Sequence, residues 1–194
     1  SHYIPHNVRN FLNKEENHNV TFNFYQNHTS AISQKVKSGE LDVGFGGYFD
    51  KEELEFFQII SVEMVIITPK GHELEQQEKL SIQELNHYPV IGYDRQSWLG
   101  NYTERLYHRL SFQPNIVVEC PDEHSIVALV SENFGIALVP HIEEIDEDRV
   151  NIHKLSDIEL VHRIFMFWMK ERYQMPAVKR FIEYMKEQGA KGGF

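Results

Sequence analysis

The chain holds a single cysteine, Cys120, in 194 residues. One thiol excludes an intramolecular disulfide framework and a cysteine-rich zinc site. Long apolar runs are also missing. The longest candidates, 59–69 and 163–169, fall short of the roughly 18 residues a membrane span needs, so no membrane partner is expected. The opening Ser1-His2-Tyr3-Ile4-Pro5 has no basic segment leading into an apolar stretch. No signal peptide is visible there, which points to a cytoplasmic protein. Positive charge is scarce: 19 Lys and Arg stand against 29 Asp and Glu, a net charge of -10. Cation–phosphate contacts supply most non-specific affinity for nucleic acid, so a DNA-binding role would have to come from sequence outside this chain.

Catalytic and metal signatures are absent as well. There is no Gly-x-Ser-x-Gly elbow and no Gly-Lys-Ser/Thr phosphate loop. His72-Glu73 is followed by Gln76 where a helical zinc motif needs a second histidine. His2 and His6 are four apart, a spacing that can share a metal, but no third ligand stands near them. The expectation is a non-enzyme with no cofactor and no metal.

What is present is an alternation of helical and strand periods, the pattern of an α/β protein. Residues 3–17 read as a helix, with Pro5 in its first turn and Ile4, Val8, Phe11 and Leu12 on one stripe. Val20 to Tyr25 alternates at period two and predicts a strand. Thr29 or Ser30 can cap a second helix that stops at Gly39. Strands follow at 41–45, ending in Gly46-Gly47, and at 57–68. After Pro69, Ser81 opens a helical turn and 89–92 is a strand. Residues 97–110 form a helix and 116–119 a strand. Asp122 caps a helix to Val130, and strands span 135–139, 150–155 and 161–169. Pro176 opens a last amphipathic helix, and the tail from Gly189 to Phe194 is expected to fray. The acidic stretch 143–149 reads as a solvated connection.

Several segments together resemble one family along nearly the whole chain. They are Ile4-Pro5 with Phe11, Ser38-Gly39-Glu40-Leu41-Asp42-Val43-Gly44, and Glu63 to Thr68 with Gly71-His72-Glu73-Leu74. Leu80 to Leu85 with Pro89-Val90-Ile91 follow, then Val127 to Val130 with Phe134-Gly135-Ile136-Ala137-Leu138-Val139-Pro140. In this order and at these separations they resemble the effector-binding domain of LysR-type transcription regulators. The resemblance implies a two-lobed type II periplasmic-binding-protein-like fold, each lobe a mixed sheet flanked by helices. Lobe I would hold residues 1–67 and 165–194 and lobe II residues 68–164, with the effector between them. It also implies a further strand and polar turn ahead of the Ile4-Pro5 helix, with Ser1 on that turn. A winged helix-turn-helix outside this chain would bind DNA, and the regulator would work as a homodimer or tetramer. The rival reading is an extracytoplasmic solute-binding protein of a transporter, disfavoured by the missing signal peptide and by the Gly135 to Pro140 segment.

A small polar or anionic effector would use helix N-termini, whose unpaired N–H groups and dipole favour negative charge. Three such ends are expected at strand C-termini: Asn27-His28-Thr29-Ser30, Arg95-Gln96-Ser97-Trp98 and Cys120-Pro121-Asp122. The candidate effector contacts are Ser1, Asn27, His28, Thr29, Gly46, Gly47, Thr68, Arg95, Ser97, Trp98, Cys120 and Asp122. For several of them a plainer role is open. Thr29 and Ser97 serve equally as caps, the two glycines as a turn, Trp98 as a packing aromatic and Cys120 as a buried thiol.

Overall fold

In a computed structural model of the chain, residues 2–49 and 51–191 are described, the last by its backbone alone. The chain forms two compact units. Unit 1 comprises Ser1–Ser61 and Arg163–Phe194, and unit 2 comprises Val62–His162. The lobe boundaries expected from sequence were 67/68 and 164/165. Two strands, β2 (Leu54–Pro69) and β8 (Val161–Met169), run through the points where the chain passes from one unit to the other.

Unit 1 holds the helices α1 (Tyr3–Leu12), α2 (Thr29–Ser38) and α5 (Pro176–Lys191) and the short strand β1 (Gly44–Gly46). β1 pairs antiparallel with β8, Gly44 opposite Phe167 and Gly46 opposite Phe165, and β8 lies between β1 and β2. α1 buries Val8 and Phe11. Phe11 meets Phe181 and Tyr184 of α5 at centroid distances of 5.4 and 5.5 Å. The buried Asn17 holds the end of this corner: its amide donates to the Phe11 carbonyl and its oxygen accepts from Arg180. A second cluster, Val36, Leu54 and Phe167, sits under α2.

Unit 2 is built on the second half of β2. β2 pairs antiparallel with β6 (Ala137–Pro140) on one side and β7 (Val150–Leu155) on the other, and β7 pairs in parallel with β3 (Lys79–Leu80). β4 (Val90–Tyr93) and β5 (Ile116–Cys120) are parallel, and a bridge from Val90 to Ile136 ties them to the β6 segment. Met64, Val65, Ile66 and Ile67 are all buried because both faces of the sheet are covered. Met64 and Ile66 join Leu80, Leu85, Leu106 and Leu138 on one face, and Val65 and Ile67 join Ile126, Val130 and Val139 on the other. The covering helices are α3 (Trp98–Arg109) and α4 (Glu123–Ser131).

Three expectations need correction. Val20 to Tyr25 is not a strand: the segment has no strand pairing among the described residues, and without a neighbour its alternation cannot become a ladder. Its Phe22 instead packs on Phe11 and Phe181. The first helix ends at Leu12, and a separate 3₁₀ turn covers Glu15–Asn17. Helix α5 continues through Gly189 to Lys191, with Gly189 close to the Phe57 ring, so the frayed tail expected from Gly189 does not begin there; 192–194 lie outside the described residues.

Candidate functional site

In unit 1 the candidates gather at the start of α2. His28, not Thr29 or Ser30, is the N-cap residue, and its side chain makes no capping bond. The turn is closed by the Asn27 side chain, whose Oδ1 accepts from the His28 N–H at 2.8 Å and whose Nδ2 donates to the Tyr25 hydroxyl at 2.9 Å. The first turn of α2 contains no acidic residue. Thr29, the first helical residue, lies against Gly46 at the end of β1. Gly47 is buried beside it in sequence, and Ser1 lies outside the described residues.

In unit 2 the parallel pair β4 and β5 ends at Tyr93 and Cys120, which are register partners. The Asp94 N–H donates to the Cys120 carbonyl at 2.8 Å, holding the two strand ends together. Ser97 then caps α3: its hydroxyl accepts from the Gly100 N–H at 3.0 Å and donates to the Asp94 carbonyl at 2.6 Å. Arg95 is ion-paired to Glu119 at 2.7 Å. Trp98 stacks on Tyr102, the rings 10° from parallel and 5.2 Å apart, and lies 4.9 Å from His162. His162 presents a buried Nδ1 with no partner among the described residues, and burial lowers its pKa to about 4. Neither Tyr102 nor His162 was anticipated: the i,i+4 spacing of Trp98 and Tyr102 on α3 could have signalled the first, whereas the Trp98–His162 contact spans more than sixty residues and leaves no local pattern.

The start of α4 is electrostatically different. Asp122 accepts from the Ser125 N–H at 2.8 Å, and that bond holds its carboxyl below the ordinary range. Tyr93 donates to Glu123 at 2.9 Å, and burial, reinforced by Glu123, raises the Tyr93 phenol well above its usual value. Two carboxylates therefore already answer the dipole of this helix. Burial and the neighbouring Asp122 push the Cys120 thiol up, leaving it a poor nucleophile.

Thr68 stands apart from the other candidates, fully buried on β2. Its hydroxyl is 2.7 Å from His153 Nε2, and His153 Nδ1 is 2.5 Å from the Gln77 carbonyl. Because a carbonyl can only accept, Nδ1 carries the proton, and Thr68 donates to the neutral ring. Burial holds the His153 pKa down, in keeping with that neutral state. A groove of about 300 Å³ in unit 1, lined by Phe11, Lys14, Asn17, Arg180 and Tyr184 among others, contains none of the candidate residues. Among the described residues no group of three or more His, Cys, Asp or Glu side chains could hold a metal ion. No described helix is long and apolar enough to cross a membrane.

Residues 2–190 match the family described as the LysR substrate binding domain. Among curated proteins, the chain is 24% identical over 183 residues to the HTH-type transcriptional regulator YybE of Bacillus subtilis (strain 168), covering 94% of this chain and 62% of the relative. It is also 24% identical over 184 residues to the regulator AlsR of the same organism, covering 93% and 60%. The chain thus spans about three fifths of the length of these relatives. Among solved structures, the effector binding domain of QuiR in complex with shikimate superposes with a TM-score of 0.91 at 26% identity, covering 98% of this chain and 92% of that one. The BenM effector binding domain with benzoate gives 0.82 at 16% identity, covering 97% and 86%, a likeness of fold. The α/β architecture is therefore that of the periplasmic-binding-protein-like effector domains. The chain belongs to the LysR substrate-binding domain family.

Proposed function

We propose that this chain is the effector-sensing part of a LysR-type transcription regulator that acts in the cytoplasm and is not an enzyme. One observation carries the reading: the family match over 2–190, joined by 26% identity across 98% of the chain to a domain solved with shikimate. DNA would be bound by a helix-turn-helix outside this sequence, because a chain of net charge -10 repels the duplex. Effector binding would shift the domain between two states, and a dimer or tetramer would pass that shift to the DNA-binding parts.

The effector is a small anion, and the first turn of α2 in unit 1 and that of α3 in unit 2 are each a candidate anion-binding end. Support comes from the charge around the three helix starts. α2 and α3 have no acid in the first turn, whereas α4 is already served by Asp122 and Glu123. Thr29 offers the hydroxyl in unit 1. In unit 2 the Ser97 hydroxyl is spent on capping, so its part is to hold the first turn of α3 in place.

A thermal-shift screen of small carboxylates, shikimate and benzoate included, tests this. A ligand that binds only the native state at a hundred times its Kd stabilises by about 2.7 kcal/mol. The expected result is a raised Tm for the native chain and no rise for the T29A/S97A double variant, each compared with its own unliganded Tm. A full response from the double variant would reject the site. The domain is further expected to dimerise under a two-fold axis, α1 of one protomer against α4 of the other, so that two equivalent patches form. A monomer by light scattering at tens of micromolar, on the scale of stable interfaces, would contradict that.

A further inference from the structure

Helix α2 sits on strand β1 through two glycines on one face. A Cβ built on Gly44 would lie 2.9 Å from Ile32 Cγ2 and 2.4 Å from the Phe167 ring. A Cβ built on Gly46 would lie 2.6 Å from Thr29 Oγ1, 2.9 Å from Thr29 Cγ2 and 3.3 Å from Thr29 Cβ. Positions 44 and 46 share a strand face, and 29 and 32 share a helix face, so the two glycines form a saddle that receives one turn of α2. Neither glycine has a positive φ, so the backbone does not demand glycine at either position. What demands it is space. The volume a side chain at 46 would take is held by the hydroxyl and methyl of Thr29. At its other end α2 is pinned by Arg172, whose guanidinium donates to the Val36 carbonyl at 2.8 Å and the Lys37 carbonyl at 2.5 Å. With that end anchored, any lift at the saddle falls on the first turn.

We infer that Gly46 is a positioning residue for Thr29: by yielding its Cβ volume it fixes the hydroxyl and the first turn of α2 where an effector meets them. Gly46 itself need not touch the ligand. This rests on the proposal that Thr29 meets a small anion. It adds that the affinity belongs to the pair, because a methyl at 46 must push Thr29 off its seat or into another rotamer. The change is small in chemistry and large in placement.

A double-mutant cycle in the full chain tests it, with shikimate, benzoate and inorganic phosphate as probes and the amide spectrum as readout. Gly46→Ala is expected to weaken a probe that binds the native chain by about tenfold, the worth of one misplaced hydrogen bond. Thr29→Ala should cost a similar factor. The combined G46A/T29A variant should bind little worse than T29A, because the two closest contacts are then gone and only the Cβ of residue 29, at 3.3 Å, stays near the methyl. In G46A/T29S the smaller side chain can move aside while keeping its hydroxyl, and part of the affinity should return. Unchanged affinity in G46A, with T29A impaired, overturns the role of Gly46 and leaves the effector site standing. Additive losses in G46A/T29A overturn it too. Binding by no probe to the native chain rejects the anion site and the inference together.

Discussion

Replacing Gly100 by alanine is expected to destabilise the protein by about 3 kcal/mol, the upper part of the usual range for overpacking. Helix propensity alone predicts the opposite. Gly100 sits in the first turn of α3, and alanine is favoured over glycine within a helix by about 1 kcal/mol. The local environment reverses the sign. An ideal Cβ at 100 would stand 2.0 Å from the Asp94 carbonyl oxygen, 2.6 Å from its carbon and 3.0 Å from Arg95 Cα. All three are backbone atoms, so no rotamer change relieves the contact. The same carbonyl accepts from the Ser97 N–H and the Ser97 hydroxyl, so displacing it also loosens the cap of α3. Gly92→Ala is the control. Its nearest neighbour would be the Ile116 Cγ2 methyl at 3.2 Å, a side-chain atom that need give by only a few tenths of an ångström, and its cost should stay below about 1 kcal/mol. Urea unfolding of both variants decides the matter. A G100A protein as stable as the native one would show that α3 does not begin against the Asp94 carbonyl.

That glycine also shows what sequence could and could not convey. In the run Trp98-Leu99-Gly100-Asn101 it reads as a weak point in a helix, and only the chain folding back from Asp94 supplies its reason. Features carried by local chemistry were legible. Strands 150–155 and 161–169 lie where their apolar patterns place them, and Ser97 and Asp122 cap the helices that follow. Features that depend on a distant partner were not. Val20 to Tyr25 has a strand's alternation but no neighbour to pair with, while Lys79-Leu80 has no pattern and becomes a strand because β7 lies beside it. In the candidate site the α2 cap is His28 where Thr29 or Ser30 was expected, and the residue types at the starts of α3 and α4 were readable from capping preference. Which of them had already spent its hydrogen bonds was not. Ser97 gives both sides of its hydroxyl to the backbone, Thr68 is committed to His153, and Arg95 places its Nε on Glu119.

Stability is expected to fall by about 3 kcal/mol as pH drops from neutrality to 4, largely through one histidine. Burial against Trp98 lowers the His162 pKa from 6.5 to about 4, and Nδ1 gains no hydrogen bond in return. At pH 7 the ring is neutral in both folded and unfolded chains, so no penalty applies. Below about pH 6.5 the unfolded chain takes up a proton that the native state refuses, which stabilises the unfolded state. The loss grows until about pH 4, where the native ring also protonates and the curve flattens. His153, also lowered chiefly by burial, acts with the same sign, so two buried rings share the slope. The Asp122 carboxyl belongs to a separate window, because its stabilisation fades only as pH falls below the ordinary carboxylate range. Replacing His162 by Phe keeps an aromatic surface for Trp98 and removes the proton site. The H162F variant should match the native protein within about 1 kcal/mol at pH 7 and keep only the shallower slope due to His153. If packing fails in that variant, H162Q provides the same test, since it too cannot titrate. Urea midpoints taken every half unit from pH 7.5 to 4 separate the outcomes. A native-like slope in both variants would place the acid sensitivity elsewhere and show that His162 is not held neutral by burial.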